Sequence, residues 1–185
     1  MFINKSIIKF VSLLILLCLL SCLILCGKKD AQYYSNQGHK YLKDANTQQA
    51  VESYRKAIQL DPNAASDIAF MCSNIGWSFI ENKDYQTAAR TLKVALEFDP
   101  KLALAHMNLG VAYFMMKEYN EAIAAYKKAI ELKPYEPGFY FQLANACSES
   151  GRRYEAVAAA KKCIELCSEG DRRIPPMQQI IREYQ

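Results

Sequence analysis

Little in this chain suits a fold of strands and turns. Glycine and proline number seven and six among 185 residues, against twelve tyrosines, a balance that favours helices. With 51% of residues apolar and 23% charged, a packed core is within reach and wholesale disorder is excluded. An excess of one charge is missing too. The 23 basic residues, less Lys5 and Lys9 near the N-terminus, leave 21 against 19 acidic ones. A phosphate-binding surface needs a concentrated basic face. Here Arg152-Arg153, Lys161-Lys162 and Arg172-Arg173 alternate with Glu149, Glu155, Glu165, Glu169 and Asp171, the pattern of a solvated helix surface, so no nucleic-acid partner is expected. Histidine occurs twice, as His39 and His106, and neither has a cysteine or acid at metal-ligand spacing. Phosphate-cradling glycine loops and nucleophile-elbow patterns are absent from the sequence. No metal, cofactor or catalytic set is expected, and the chain does not read as an enzyme.

Residues 1–26 differ from the rest. Lys5 and Lys9 precede an apolar run from Phe10 to Cys26, interrupted by Ser12 and Ser21 and ended by Gly27-Lys28-Lys29-Asp30. This is the layout of a secretory signal or membrane anchor, at the short end of what spans a bilayer. Leu19-Leu20-Ser21-Cys22 resembles the bacterial lipobox, which implies that Cys22 is lipidated and becomes the new N-terminus. Against it, Cys22 is followed by the apolar Leu23–Leu25. Cys26 sits at the better polarity boundary but follows the bulky Leu25. An uncleaved anchor, or a cleaved signal without lipid, are the alternatives. Each places the remainder beside or beyond a membrane, and the lipoprotein reading places it in a bacterial cell envelope. Lys5 and Lys9 nearly cancel Lys28 and Lys29, so the charges do not orient an uncleaved anchor.

Beyond Asp30 the chain repeats itself. Pro62, Pro100 and Pro134 mark intervals of 38 and 34 residues. Counted back from each, Gly38, Gly76 and Gly110 align, with Ala144 in a fourth copy; so do Tyr41, Phe79, Tyr113 and Cys147. Ala50, Ala88, Ala122 and Ala156 follow, then Tyr54, Leu92, Tyr126 and Ala160, then Ala57, Ala95, Ala129 and Cys163. Each copy carries two apolar stripes at helical spacing, for example Leu109, Tyr113 and Phe114, then Ala122, Tyr126, Ala129 and Ile130. Turn residues separate the stripes, and Asp61-Pro62, Asp99-Pro100 and Lys133-Pro134 close the second helices.

This pattern resembles the tetratricopeptide repeat. The resemblance implies an all-α fold: a right-handed superhelical stack of four helix–turn–helix units at 31–64, 69–102, 103–136 and 137–170. Residues 65–68 form a four-residue insertion expected to lengthen the first helix of the second copy. The fourth copy is atypical, with Cys147, Ala160 and Ser168 at places usually aromatic, aromatic and proline. In residues 171–185, Pro175-Pro176 opens a helix whose stripe of Met177, Ile180, Ile181 and Tyr184 suits a cap on the open end of the stack. Cys72, Cys147, Cys163 and Cys167 fall on apolar stripes as small hydrophobes, and a Cys147–Cys163 bridge would be compatible with an oxidising compartment.

In this family the first helix of each pair lines a concave face. The matching positions here are Gln32, Ser35, Asn36 and His39 in copy one; Phe70, Ser73, Asn74, Trp77 and Glu81 in copy two; Leu104, Met107, Asn108, Val111 and Met115 in copy three; and Phe141, Gln142 and Asn145 in copy four. Asn36, Asn74 and Asn108 align, with Gln142 fourth. That is similar to asparagine ladders that hold extended peptides in other tetratricopeptide superhelices, although asparagine is also common at this place for structural reasons. Where carboxylate-clamp members carry Lys and Arg, this chain has Ser35, Leu104 and Asn108. The resemblance therefore implies a membrane-tethered adaptor that binds a partner protein segment in its groove, with an envelope assembly factor as one such role. The alternative is a self-associating scaffold whose groove is an oligomer interface.

Overall fold

The structure is a computed structural model that describes residues 29–184. The signal-like segment, with Cys22 and Cys26, lies outside the described residues. Several helices begin where a polar side chain holds the first turn. Asp30 accepts a hydrogen bond from the Tyr33 amide at 2.7 Å and opens α1 (Ala31–Lys43). Asn46 accepts from the Gln49 amide at 3.3 Å and opens α2 (Thr47–Leu60). Asp84 does the same for Thr87 at 3.1 Å before α4 (Tyr85–Phe98). Between these runs α3 (Ala64–Glu81), and α5 (Ala103–Met115), α6 (Tyr119–Leu132), α7 (Pro137–Glu149), α8 (Arg153–Leu166) and α9 (Ile174–Tyr184) follow. Among the described residues every regular element is helical.

The helices pair as α1–α2, α3–α4, α5–α6 and α7–α8, and the pairs stack into a superhelix ended by α9, which lies mainly on α8. Close approach within a pair rests on one device. A Cβ added at Gly110 would stand 2.6 Å from Tyr126 Cδ1, and one at Gly76 2.6 Å from Leu92 Cγ; Gly38 is overlain by the Tyr54 ring in the same way. Glycine leaves room for the large side chain sixteen residues on, so Tyr54, Leu92 and Tyr126 are wholly buried. The fourth pair instead sets Ala144 and Ala160 in these places, both wholly buried. Met177 of α9 is buried in the same apolar cluster as those alanines, Cys147 and Cys163. A Ser148–Tyr184 hydroxyl contact at 3.0 Å and Arg153 stacked 5.7 Å above the Tyr184 ring tie down the end of α9. Cys147 and Cys163 are free thiols, with no bridge between them.

The junctions between pairs are unequal. The helix α3 has 18 residues where α1, α5 and α7 have 13, and residues 65–68 lie within its first turns. The helix α4 packs broadly on α5, and α6 on α7, but α2 meets α3 and α4 only lightly. A cleft of about 490 Å³ opens between α2 and α4, floored by Val51 and Val94. The Arg55–Glu97 ion pair at 2.7 Å bridges the two helices.

Candidate partner-binding groove

The first helices of successive pairs, α1, α3, α5 and α7, lie side by side and form one continuous face. On it Phe70 is 49% exposed, Trp77 40%, Leu104 37% and Met115 48%. Phe70 and Trp77 stand two turns apart on α3, and neither joins the apolar clusters of the core. The Trp77 indole donates from Nε1 to Glu81 Oε1 at 3.0 Å, which fixes the ring on the helix surface. Asn36 and Asn74 are exposed, and Asn36 Oδ1 accepts from Gln32 Nε2 at 2.9 Å.

Other expected groove residues serve the core as well. Met107, Val111 and Phe141 are half-buried and pack on the clusters beneath, Val111 touching both main clusters. Gln142 and Asn145 are half-buried. Leu104, Met107 and Gln142 come together around a pocket of about 390 Å³ between α5 and α7. Phe141 and Gln142 also line a larger one of about 870 Å³ towards Arg172 and Arg173 of the loop before α9.

Asn108 corrects the sequence reading. It is only 3% exposed, wedged between α3 and α5, and its Nδ2 reaches Ser73 Oγ at 3.4 Å. An amide placed there is part of the seam between two helices, as is Ser73, expected on the open face and wholly buried instead, so the asparagine ladder is interrupted at its third rung. Its Oδ1 finds no hydrogen-bond partner. His106 is half-buried with Nε2 2.9 Å from the Pro100 carbonyl. His39 lies edge-on to Tyr54 at 5.4 Å, and burial, followed by nearby Lys43, holds its pKa below the ordinary value, favouring the neutral ring.

The sequence reading missed Met71, 43% exposed and lining a pocket of about 600 Å³ between α1 and α3. Its counterparts Ala105 and Phe139 are buried against the preceding pair. Met71 stays open because the lengthened α3 meets α2 so lightly. It also missed Phe114 and Glu149, which with Gln179 and Glu183 of α9 line a pocket of about 270 Å³ at the other rim of the groove.

Comparison with known proteins agrees with this architecture. Models of the tetratricopeptide repeat match residues 31–64, 103–136 and 137–169, and a TPR repeat model matches 76–117. Within 31–169 only residues 65–75, which include the inserted turn, fall outside them. No curated protein matches the chain. Among solved structures, crystal structures of MamA resemble it. One is 26% identical with a TM-score of 0.54, covering 79% of this chain and 83% of that one. Another is 28% identical with a TM-score of 0.52, covering 74% and 72%. The Yersinia enterocolitica type III secretion chaperone SycD, in complex with a peptide of the translocator YopD, is 17% identical. Its TM-score is 0.60, over 64% of this chain and 92% of that one, a likeness of fold.

Proposed function

The chain is built from tetratricopeptide repeats, and on that premise we propose that it is a membrane-tethered adaptor that captures a segment of a partner protein on the face shared by α1, α3, α5 and α7. The observation that carries this is the exposed stripe of Phe70, Trp77, Leu104 and Met115. Large apolar side chains grouped on one face of a soluble stack hold unfavourable contact with water until something covers them. SycD, of the same fold, is seen with a peptide of its translocator. The tether is the N-terminal segment, lipidated at Cys22, and the site of action is the bacterial cell envelope, where an assembly factor is the fitting role.

Trp77 is the anchor to test, because aromatic side chains in water-excluding contacts dominate binding energy. With the full-length chain as bait in envelope extract, Trp77→Ala should weaken capture of the partner by about 2 kcal/mol or more, roughly thirtyfold. Its thermal midpoint should stay that of wild type. A variant that melts early and still captures the partner would sink the groove reading. Asn108→Ala, by contrast, should lower stability as well as binding, since its amide spans α3 and α5. The rival reading, a self-associating scaffold, would show as a size that rises with concentration and falls back in Trp77→Ala. The tether is tested by labelling cells with a palmitate analogue: label lost in Cys22→Ser supports it, and label retained there moves the assignment to Cys26.

A further inference from the structure

Three of the four groove helices are segregated by charge; α1 instead carries Lys40 and Lys43 and no acid. The helices α3, α5 and α7 contain no lysine or arginine, and their charged residues are Asp67, Glu81 and Glu149. The helices α4, α6 and α8, on the other side of each pair, carry seven lysines and arginines among five acids. Packing does not impose this. Ser66, Asn74 and Ser78 on α3 are exposed, and lysine is a better helix former than any of them.

We propose that the occupant of the groove is an apolar segment flanked by lysine or arginine, rather than one bearing carboxylates. The inference rests on the groove reading above and names the chemistry of its partner. Glu81 already orients the Trp77 indole through Oε1, and a partner side chain lying along that ring would bring its ammonium or guanidinium within reach of the same carboxylate. Such a side chain gains from the ring face and from its own apolar stem. At the far rim Glu149 and Glu183 face a common pocket beside Phe114. Glu149 makes no ion pair among the described residues. Over α3, α5 and α7, away from Lys40 and Lys43 of α1, from Lys133 and from the Arg172–Arg173 loop, a carboxylate would meet three acids and no cation. It would lose its hydration with nothing to replace it, which is how an interface rejects a wrong partner.

The test uses two synthetic peptides with the same leucine–alanine core, one flanked by lysines and one by glutamates, titrated against the full-length chain with Trp77 fluorescence as readout. The lysine peptide should bind about tenfold more tightly at low salt, with the gap closing as salt rises, because exposed ion pairs are individually weak and screened. In Glu81→Gln/Glu149→Gln the preference should vanish while binding of the core persists. Equal binding of both peptides by the wild type would overturn the charge inference and leave the groove reading standing. A preference unchanged in the double variant would also overturn it, placing the discrimination elsewhere. If neither peptide perturbs Trp77, the groove reading falls and the inference falls with it.

Discussion

The third and fourth repeats meet the same geometric problem with opposite fillings. In the third, a glycine faces a tyrosine: Gly110 has no Cβ, and the Tyr126 ring occupies the space it leaves. In the fourth, Ala144 faces Ala160, and both are as fully buried as Tyr126. Two alanines do not supply the volume of a tyrosine ring. The cluster around them is completed by Met177 and Ile180, which come from α9. The third repeat carries its own core filling; the fourth borrows part of its own from the cap. A terminal repeat has only one neighbour and must be closed by something other than another repeat. The change from Tyr to Ala is the adaptation that lets a single helix do it.

The sharpest way to break this contrast is to empty the third repeat. Tyr126→Ala should cost about 3–5 kcal/mol, the range for removing a buried aromatic ring, seen as a drop in urea midpoint with unchanged slope. Tyr126→Phe is its control. The ring stays, and the hydroxyl it removes is buried without a hydrogen-bond partner, so the midpoint should match or exceed wild type. A Tyr126→Phe variant as unstable as Tyr126→Ala would mean that the hydroxyl, not the ring, holds the repeat.

In the fourth repeat the corresponding weak point lies outside the repeat. Met177→Ala should cost about 2–5 kcal/mol. Its effect should be local: amide exchange should quicken in α7 and α8 while α3 and α4 keep their protection. Uniform quickening across the stack would show that α9 supports all the repeats equally, and the contrast would be gone.

Filling the glycine side is the next smaller effect. Gly110→Leu should overpack the pair by about 1–3 kcal/mol. Gly110→Ala combined with Tyr126→Ala rebuilds the fourth repeat's pair inside the third, so the double variant should lose less than the sum of the singles, by about 0.5–3 kcal/mol. Strict additivity would mean that the two positions do not touch.

How much of this was legible in the sequence follows from which contacts are local. The repeat itself could be read because its two helices are joined by a short turn, so Gly110 and Tyr126 hold a fixed relation along the chain. Phe70, Trp77 and Leu104 could be placed on an exposed face for the same reason, since helical phase alone sets it. Asn108 could not. Its burial depends on Ser73, thirty-five residues away across a junction, and the register of that junction is a tertiary property. Met71 failed likewise, because the lengthened α3 alters how the second pair meets the first. The charge segregation of α3, α5 and α7 is visible in the bare letters, but it acquires meaning only once those helices are known to share a face.

The smallest contrast lies in the turns within the pairs. Ala45, Lys83 and Lys117 adopt left-handed φ values of 57°, 63° and 63°, where the fourth repeat places Gly151 at 73°. The hydrogen bonds are the same in the last two. The Lys117 amide donates to the Phe114 carbonyl at 2.9 Å and the Glu118 amide to Tyr113 at 2.9 Å; the Gly151 amide donates to Ser148 at 3.0 Å and the Arg152 amide to Cys147 at 2.8 Å. Only the residue type differs. An L-residue in this conformation crowds its Cβ against the following carbonyl by roughly 1–2 kcal/mol, and glycine escapes that at an entropic cost of roughly 0.5–1 kcal/mol. Lys117→Gly should therefore stabilise the third repeat by about 0.5 kcal/mol. Gly151→Ala should destabilise the fourth by a similar amount, since a Cβ there meets no atom within 4 Å and only backbone strain opposes it. Paired urea titrations of the two variants measure both signs. Should Gly151→Ala prove neutral, the turn of the fourth repeat would be free to relax, and its reliance on α9 would extend to the backbone as well as the core.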